Sequence, residues 1–153
     1  MAIRQGFEQD LERLVNLYKT FFTVHNQFQQ PAAEVVAYLQ EQLKTNPLLV
    51  SETKGVYDGA LFLVRIGQSS DETHKIWKFR HFAYLSEDIG AKLLKAAEDD
   101  VQKLSDTVKI ELTIAATEPG LDFYLNHSYV KEGRLKDHYR AGELCYILGK
   151  SFV

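Results

Sequence analysis

A chain of 153 residues with 45% hydrophobic content is long enough to bury one core, so a single domain over 1–153 is expected. The net charge of −3 arises from 18 basic and 21 acidic residues, and the scattered lysines and arginines argue against nucleic acid, which needs a basic stripe. The lone Cys145 excludes an intrachain disulfide, and with no apolar leader and no run of ~18 apolar residues the reading is a cytoplasmic protein that neither enters nor coats a membrane.

Ile3–Gln5 reads as a short edge strand. Leu11, Leu14, Val15, Tyr18, Phe21 and Phe22 then recur at helical spacing, with Glu8, Asp10 and Glu12 at the end the helix dipole favours. Pro31 opens a second helix striped by Val35, Val36, Leu39 and Leu43, and Asn46–Pro47 closes it. Leu48–Ser51, Val56–Ile66 and Lys75–Leu85 are apolar or β-rich, with the turn signal Gly67–Asp71 before the last, and predict an antiparallel meander.

Ile89, Leu93, Leu94, Ala97, Val101 and Leu104 mark the clearest helix, ended by Ser105–Asp106. Val108, Ile110, Leu112 and Ile114 alternate with polar residues as in a strand. Glu118–His127 predicts a short helix, and Val130–Tyr139, the turn Arg140–Gly142 and Leu144–Leu148 a closing hairpin. The order β-α-α-β-β-β-α-β-α-β-β implies an α/β (α+β) fold, with a mixed sheet of about seven strands flanked by about four helices. The hairpin edge would allow a homodimer.

Few residues advertise chemistry outright. His25, His74, His81, His127 and His138 have no metal-ligand spacing, and no metal is expected. Cys145 sits mid-strand and reads as an inert buried thiol. No Walker loop or dinucleotide glycine pattern is present.

Several stretches, taken in order, resemble the GNAT (Gcn5-related N-acetyltransferase) superfamily. Ile3-Arg4 with Asp10-Leu11-Glu12-Arg13-Leu14 and Leu17-Tyr18 is similar to its first strand and helix. Gly59–Val64 is similar to its third strand, and Phe123-Tyr124, Ser128-Tyr129 and Glu132-Gly133 to its Phe-Tyr, Gly-Phe, strand signature. The resemblance implies acetyl-CoA as co-substrate and an amine of a small molecule or peptide as acceptor. The family's Arg/Gln-x-x-Gly-x-Gly/Ala cofactor motif maps onto Leu85–Gly90. Gly90 matches, while Leu85 replaces the Arg or Gln and Asp88 the middle glycine.

On this resemblance Asp88, Ile89, Gly90, Ala91 and Lys92 meet the pyrophosphate at a helix N-terminus, and Phe82, Ala83 and Tyr84 run along the pantetheine. Thr117 stands where the family often has an asparagine that helps hold the cofactor. Tyr124 takes the general-acid position, and Glu111 and His81 are candidate bases. Tyr18, Phe22 and His25 fall on the acceptor side. Plainer readings stand beside these. Ser86-Glu87-Asp88 is a good helix start, Tyr124 a packing aromatic, Glu111 the solvent side of its strand, and the Tyr18–Phe28 aromatics ordinary core. The acidic Glu87 and Asp88 oppose an anion, which leaves a catalytically inactive GNAT-like module that binds a protein partner or other ligand as the alternative function.

Overall fold

The computed structural model describes residues 1–153. Its strands are β1 (Ala2–Gln5), β2 (Leu48–Thr53), β3 (Val56–Gln68), β4 (His74–Tyr84), β5 (Thr107–Ala115), β6 (Val130–Lys136) and β7 (Leu144–Phe152). Its helices are α1 (Leu11–Phe21), α2 (Ala32–Thr45), α3 (Glu87–Lys103) and α4 (Gly120–Leu125), with 3₁₀ turns at Glu8–Asp10 and Asn26–Gln29. The strands form one mixed sheet in the order β1-β2-β3-β4-β5-β7-β6. β4 and β5 are parallel, as a strand–helix–strand crossover through α3 requires, and β1–β2, β2–β3, β5–β7 and β6–β7 are antiparallel. The expected element types all appear, with ends shifted by a few residues. The two 3₁₀ turns are too short to carry a periodicity.

The chain divides into two compact units. The first comprises Met1–Val64 and Phe79–Asp100, the second Arg65–Lys78 and Val101–Val153. In the first, β3 is buried without interruption from Asp58 to Val64. A strand that alternates faces can be buried continuously only when both faces are covered. Ala60, Phe62 and Val64 join Leu11, Leu14, Tyr18, Val35 and Leu39 of α1 and α2 in one core. On the other face a side chain at Gly59 would be crowded, because a Cβ there would lie 3.1 Å from Ile89 and 3.2 Å from Leu93 of α3. A register shift opposite Ser51/Glu52 leaves Asp58 unpaired, and its carbonyl accepts the amide of Leu85 at 2.9 Å.

The start of α1 is tied to β1 and β3 through Asp10, which is only 3% exposed. Arg4 donates Nη1 to Oδ2 at 3.0 Å and Nη2 to Oδ1 at 2.9 Å, a bidentate pair. The Tyr57 hydroxyl donates to Oδ1 at 2.6 Å, and the Phe7 amide to Oδ2 at 2.8 Å. These donors, Arg4 foremost, hold the Asp10 carboxyl well below the usual carboxylate range despite its burial. In the second unit β7 lies between β5 and β6, and its Leu148 and Cys145 are buried with Ile110 of β5.

Asp10→Asn should destabilise the fold by about 2 kcal/mol in urea unfolding. Breaking a buried ion pair costs more, and the half-exposed Arg4 reduces the effect. The carboxyl is depressed in the folded state, so its contribution is full above the unfolded value of about 4 and fades as pH falls below it. The variant should therefore lose part of the wild-type decline in stability on acidification, as read from unfolding midpoints across that range.

Candidate active site

The first unit carries the end of β4 and the start of α3. Phe82 and Ala83 are buried, Tyr84 is half-buried, and Leu85–Asp88 are exposed. Ser86 caps the helix: its Oγ accepts the Ile89 amide at 3.3 Å, and its carbonyl accepts the Gly90 amide at 2.9 Å. The Asp88 carboxylate lies 3.2 Å from the Lys92 ammonium, one helical turn on, so the charge that replaces the motif glycine is drawn toward a cation. Glu87 acts on Tyr84 instead. Burial first, and the Glu87 charge second, push the Tyr84 phenol up to about 12.

Gly90 has a packing role that its place in a phosphate motif conceals. A Cβ there would lie 2.8 Å from Cγ of Tyr84 and 3.0 Å from both Cδ atoms, so the ring occupies the space that a side chain would need. Tyr84 in turn meets Phe82 and Phe21 with ring centroids 5.2 and 4.9 Å away.

The acceptor-side aromatics also lie in this unit and gather around His81 of β4. The Phe28 and Tyr38 rings stand edge-on to its imidazole at 5.0 and 5.3 Å, and Tyr18, Phe22 and Phe62 at 6.3, 6.4 and 6.3 Å. Tyr18 is fully buried and its hydroxyl has no hydrogen-bond partner; burial first, and the charge of Tyr38 second, push its phenol well above the usual range. Phe22 is half-buried and stacks on the exposed His25 at 4.7 Å. The Tyr38 hydroxyl lies 2.6 Å from Nε2 of His81. His81 has a left-handed backbone, φ +52°, inside a strand, a conformation that costs a non-glycine residue about 1–3 kcal/mol.

The second unit holds the remaining candidates. Tyr124 is half-buried on α4, with Phe123 and Tyr129 rings at 5.6 and 5.3 Å, and its carbonyl accepts the His127 and Tyr129 amides. Ser128, at φ +71°, makes the turn that returns the chain to β6. Glu111 of β5 lies 3.8 Å from Lys109 Nζ, which is closer to Glu132, at 2.8 Å. Thr117 is exposed in the turn before α4.

No family model and no curated protein sequence matches the chain. Solved structures do match along its whole length. The aminoglycoside 6′-N-acetyltransferase of Enterococcus faecium is 14% identical, covers 100% of this chain and 98% of its own, and superposes with a TM-score of 0.75. A GNAT-family acetyltransferase of Streptococcus pneumoniae gives 16% identity, 99% of both chains and a TM-score of 0.69. The chain has the GNAT fold. An aminoglycoside 6′-N-acetyltransferase solved with coenzyme A matches this GNAT fold equally well, at 14% identity, 100% of this chain, 98% of that chain and a TM-score of 0.75.

The residues at the start of α3 suit an anionic cofactor in part. The N-terminus of a 17-residue helix is exposed, and Lys92 adds a cation there. Against it stand the Ser86 cap, which already uses the Ile89 amide, and the negative charge of Glu87. Tyr38 escaped the sequence reading. It sits beside the Val35 and Leu39 stripe of α2, and a phenol there reads as a core-edge aromatic until the fold brings His81 to it.

Gly90→Ala should lower stability by about 1–3 kcal/mol through overpacking against Tyr84. In the background of Tyr84→Ala the same change should cost little. A thermal-unfolding double-mutant cycle measures this coupling; additive effects would mean that the ring does not need the space.

Proposed function

We propose that the protein is an acetyl-CoA-dependent N-acetyltransferase acting on an amine of a small molecule or peptide. The observation that supports this most is the exposed start of α3 directly after β4, within a GNAT fold that spans the whole chain. Acetyl-CoA supplies an acyl carbon activated as a thioester. Main-chain groups of Phe82–Tyr84 run along the pantetheine arm. The long 3.3 Å bond from Ile89 to Ser86 opens, so that amides at the head of α3 and the Lys92 ammonium meet the pyrophosphate. Tyr124 donates its phenolic proton to the departing thiolate. His81 or Glu111 accepts a proton from the attacking amine, and His81 has the closer hydrogen-bond partner, Tyr38. Thr117 offers a hydroxyl near the head of α4, and Tyr18, Phe22 and His25 belong to the acceptor's surroundings.

Calorimetric titration with acetyl-CoA should give micromolar binding, and no heat up to about millimolar concentration would remove the reading. Tyr124→Phe should lower kcat about a hundredfold while acetyl-CoA still binds. Normal turnover in that variant would exclude Tyr124 as the acid.

The Ser86 cap and the exposed acids favour a second reading, a GNAT-like module without CoA that binds a protein partner or other ligand. The two readings part on the double variant Glu87→Gly/Asp88→Gly. If the native protein is an enzyme, the variant should bind acetyl-CoA more tightly, by roughly tenfold, from an already measurable value. Binding that appears only in the variant establishes the second reading.

A further inference from the structure

We propose that Tyr38 is a catalytic residue, and that Tyr38 and His81 act as one proton-accepting unit that converts an acceptor ammonium into the free amine. This inference rests on the transferase reading and gives it a specific base and an acceptor class. Three observations converge on the pair. The Tyr38 hydroxyl and His81 Nε2 are 2.6 Å apart, a short hydrogen bond between two side chains from distant parts of the chain. The backbone of β4 turns left-handed at His81 alone among the residues of that strand, which aims the imidazole at α2 at a conformational cost. Five aromatic rings, of Tyr18, Phe22, Phe28, Tyr38 and Phe62, surround that imidazole.

Burial raises the pKa of the Tyr38 phenol, while the nearby Arg80 charge lowers it to a lesser degree, so the hydroxyl keeps its proton; in the proposed resting arrangement it donates that proton to Nε2 of His81. Both polar atoms of this contact are then committed to each other, and the only open lone pairs are on the Tyr38 oxygen. A proton taken from an ammonium enters there. An N–H bond of R–NH₃⁺ breaks as an O–H bond forms at Tyr38 Oη. The original Tyr38 O–H bond breaks as an N–H bond forms at His81 Nε2. The products are R–NH₂, a neutral tyrosine and a protonated imidazole, with charge and protons balanced.

Titratable and charged groups near the pair include Tyr18 on α1, Arg80 beside His81 on β4, whose Nη1 donates to Gln42 of α2 at 2.9 Å, and His25, stacked on Phe22. Of the five rings only Phe22 and Tyr38 are half-buried rather than fully buried, and these two favour an amine with an apolar or aromatic body, whose ammonium is attracted to a ring face before it is deprotonated.

Tyr38→Phe keeps the ring that packs on Phe28 and removes only the hydroxyl. His81→Asn removes the base and keeps a residue that tolerates the left-handed backbone. The native protein and both variants would be compared with acetyl-CoA, 2-phenylethylamine and n-hexylamine, alongside ¹⁵N NMR titration of the imidazoles without ligand. The expected result has four parts. Acetyl-CoA binds all three proteins within about twofold. The His81 titration midpoint moves by about half a pH unit or more in Tyr38→Phe. The acidic limb of kcat/KM for the amines moves with it. Finally, kcat/KM falls roughly tenfold in Tyr38→Phe and about a hundredfold in His81→Asn. If acetyl-CoA binds and the amines are acetylated but the acidic limb stays in place in Tyr38→Phe, the pair is overturned and the transferase reading stands. Acetyl-CoA binding with no transfer to either amine overturns the pair's role toward this acceptor class. No acetyl-CoA binding to the native protein overturns the transferase reading and the pair's role together.

Discussion

The structure depends first on β3 being covered on both faces. From Asp58 to Val64 every residue of that strand is buried, and alternation then assigns Ala60, Phe62 and Val64 to the α1–α2 side. The opposite side must accept α3 closely enough that a side chain at residue 59 would be crowded. Burial of this kind, at about 25 cal/mol per Å² of apolar area, is the largest favourable term available to a domain of this size. It also fixes where α3 begins, because the Asp58 carbonyl left over by the irregularity in β3 is satisfied by Leu85, one residue ahead of the helix cap.

The same packing sets the surroundings of β4. Its Ala83 joins the α1–α2 core, and His81, two residues earlier, is directed toward the same helices. A histidine placed among rings must find a polar partner or lose its hydrogen bonds, and the partner that α2 supplies is Tyr38. Nearby, the unpartnered Tyr18 hydroxyl is a polar group that the core does not satisfy. Polar chemistry in an apolar setting gains strength from the low dielectric, which is why a proton shared there differs from one at the surface.

The start of α3 shows how one residue can answer two demands. Gly90 matches a phosphate-loop position, yet the structure uses its missing side chain to seat the Tyr84 ring. Asp88 departs from that loop pattern, yet it points its charge at Lys92. Residue identity alone could not separate these roles, because each depends on which neighbour the fold brings within contact.

The amino-acid sequence by itself determined the elements and their order. Period-3.6 and period-2 apolar patterns are local, and so are proline at the start of α2 and the serine cap of α3. The ordered GNAT-like stretches followed from the same local information. Tertiary structure alone decided the Tyr38–His81 contact, the Arg4–Asp10–Tyr57 network and the seat of Tyr84 on Gly90. The partners in the first two are separated by up to 53 positions along the chain, and a hydrogen bond of ~3 Å carries no periodic signature from which it could be read. Sequence patterns report which face a residue turns to the core; only the packed chain decides which atom waits on the other side.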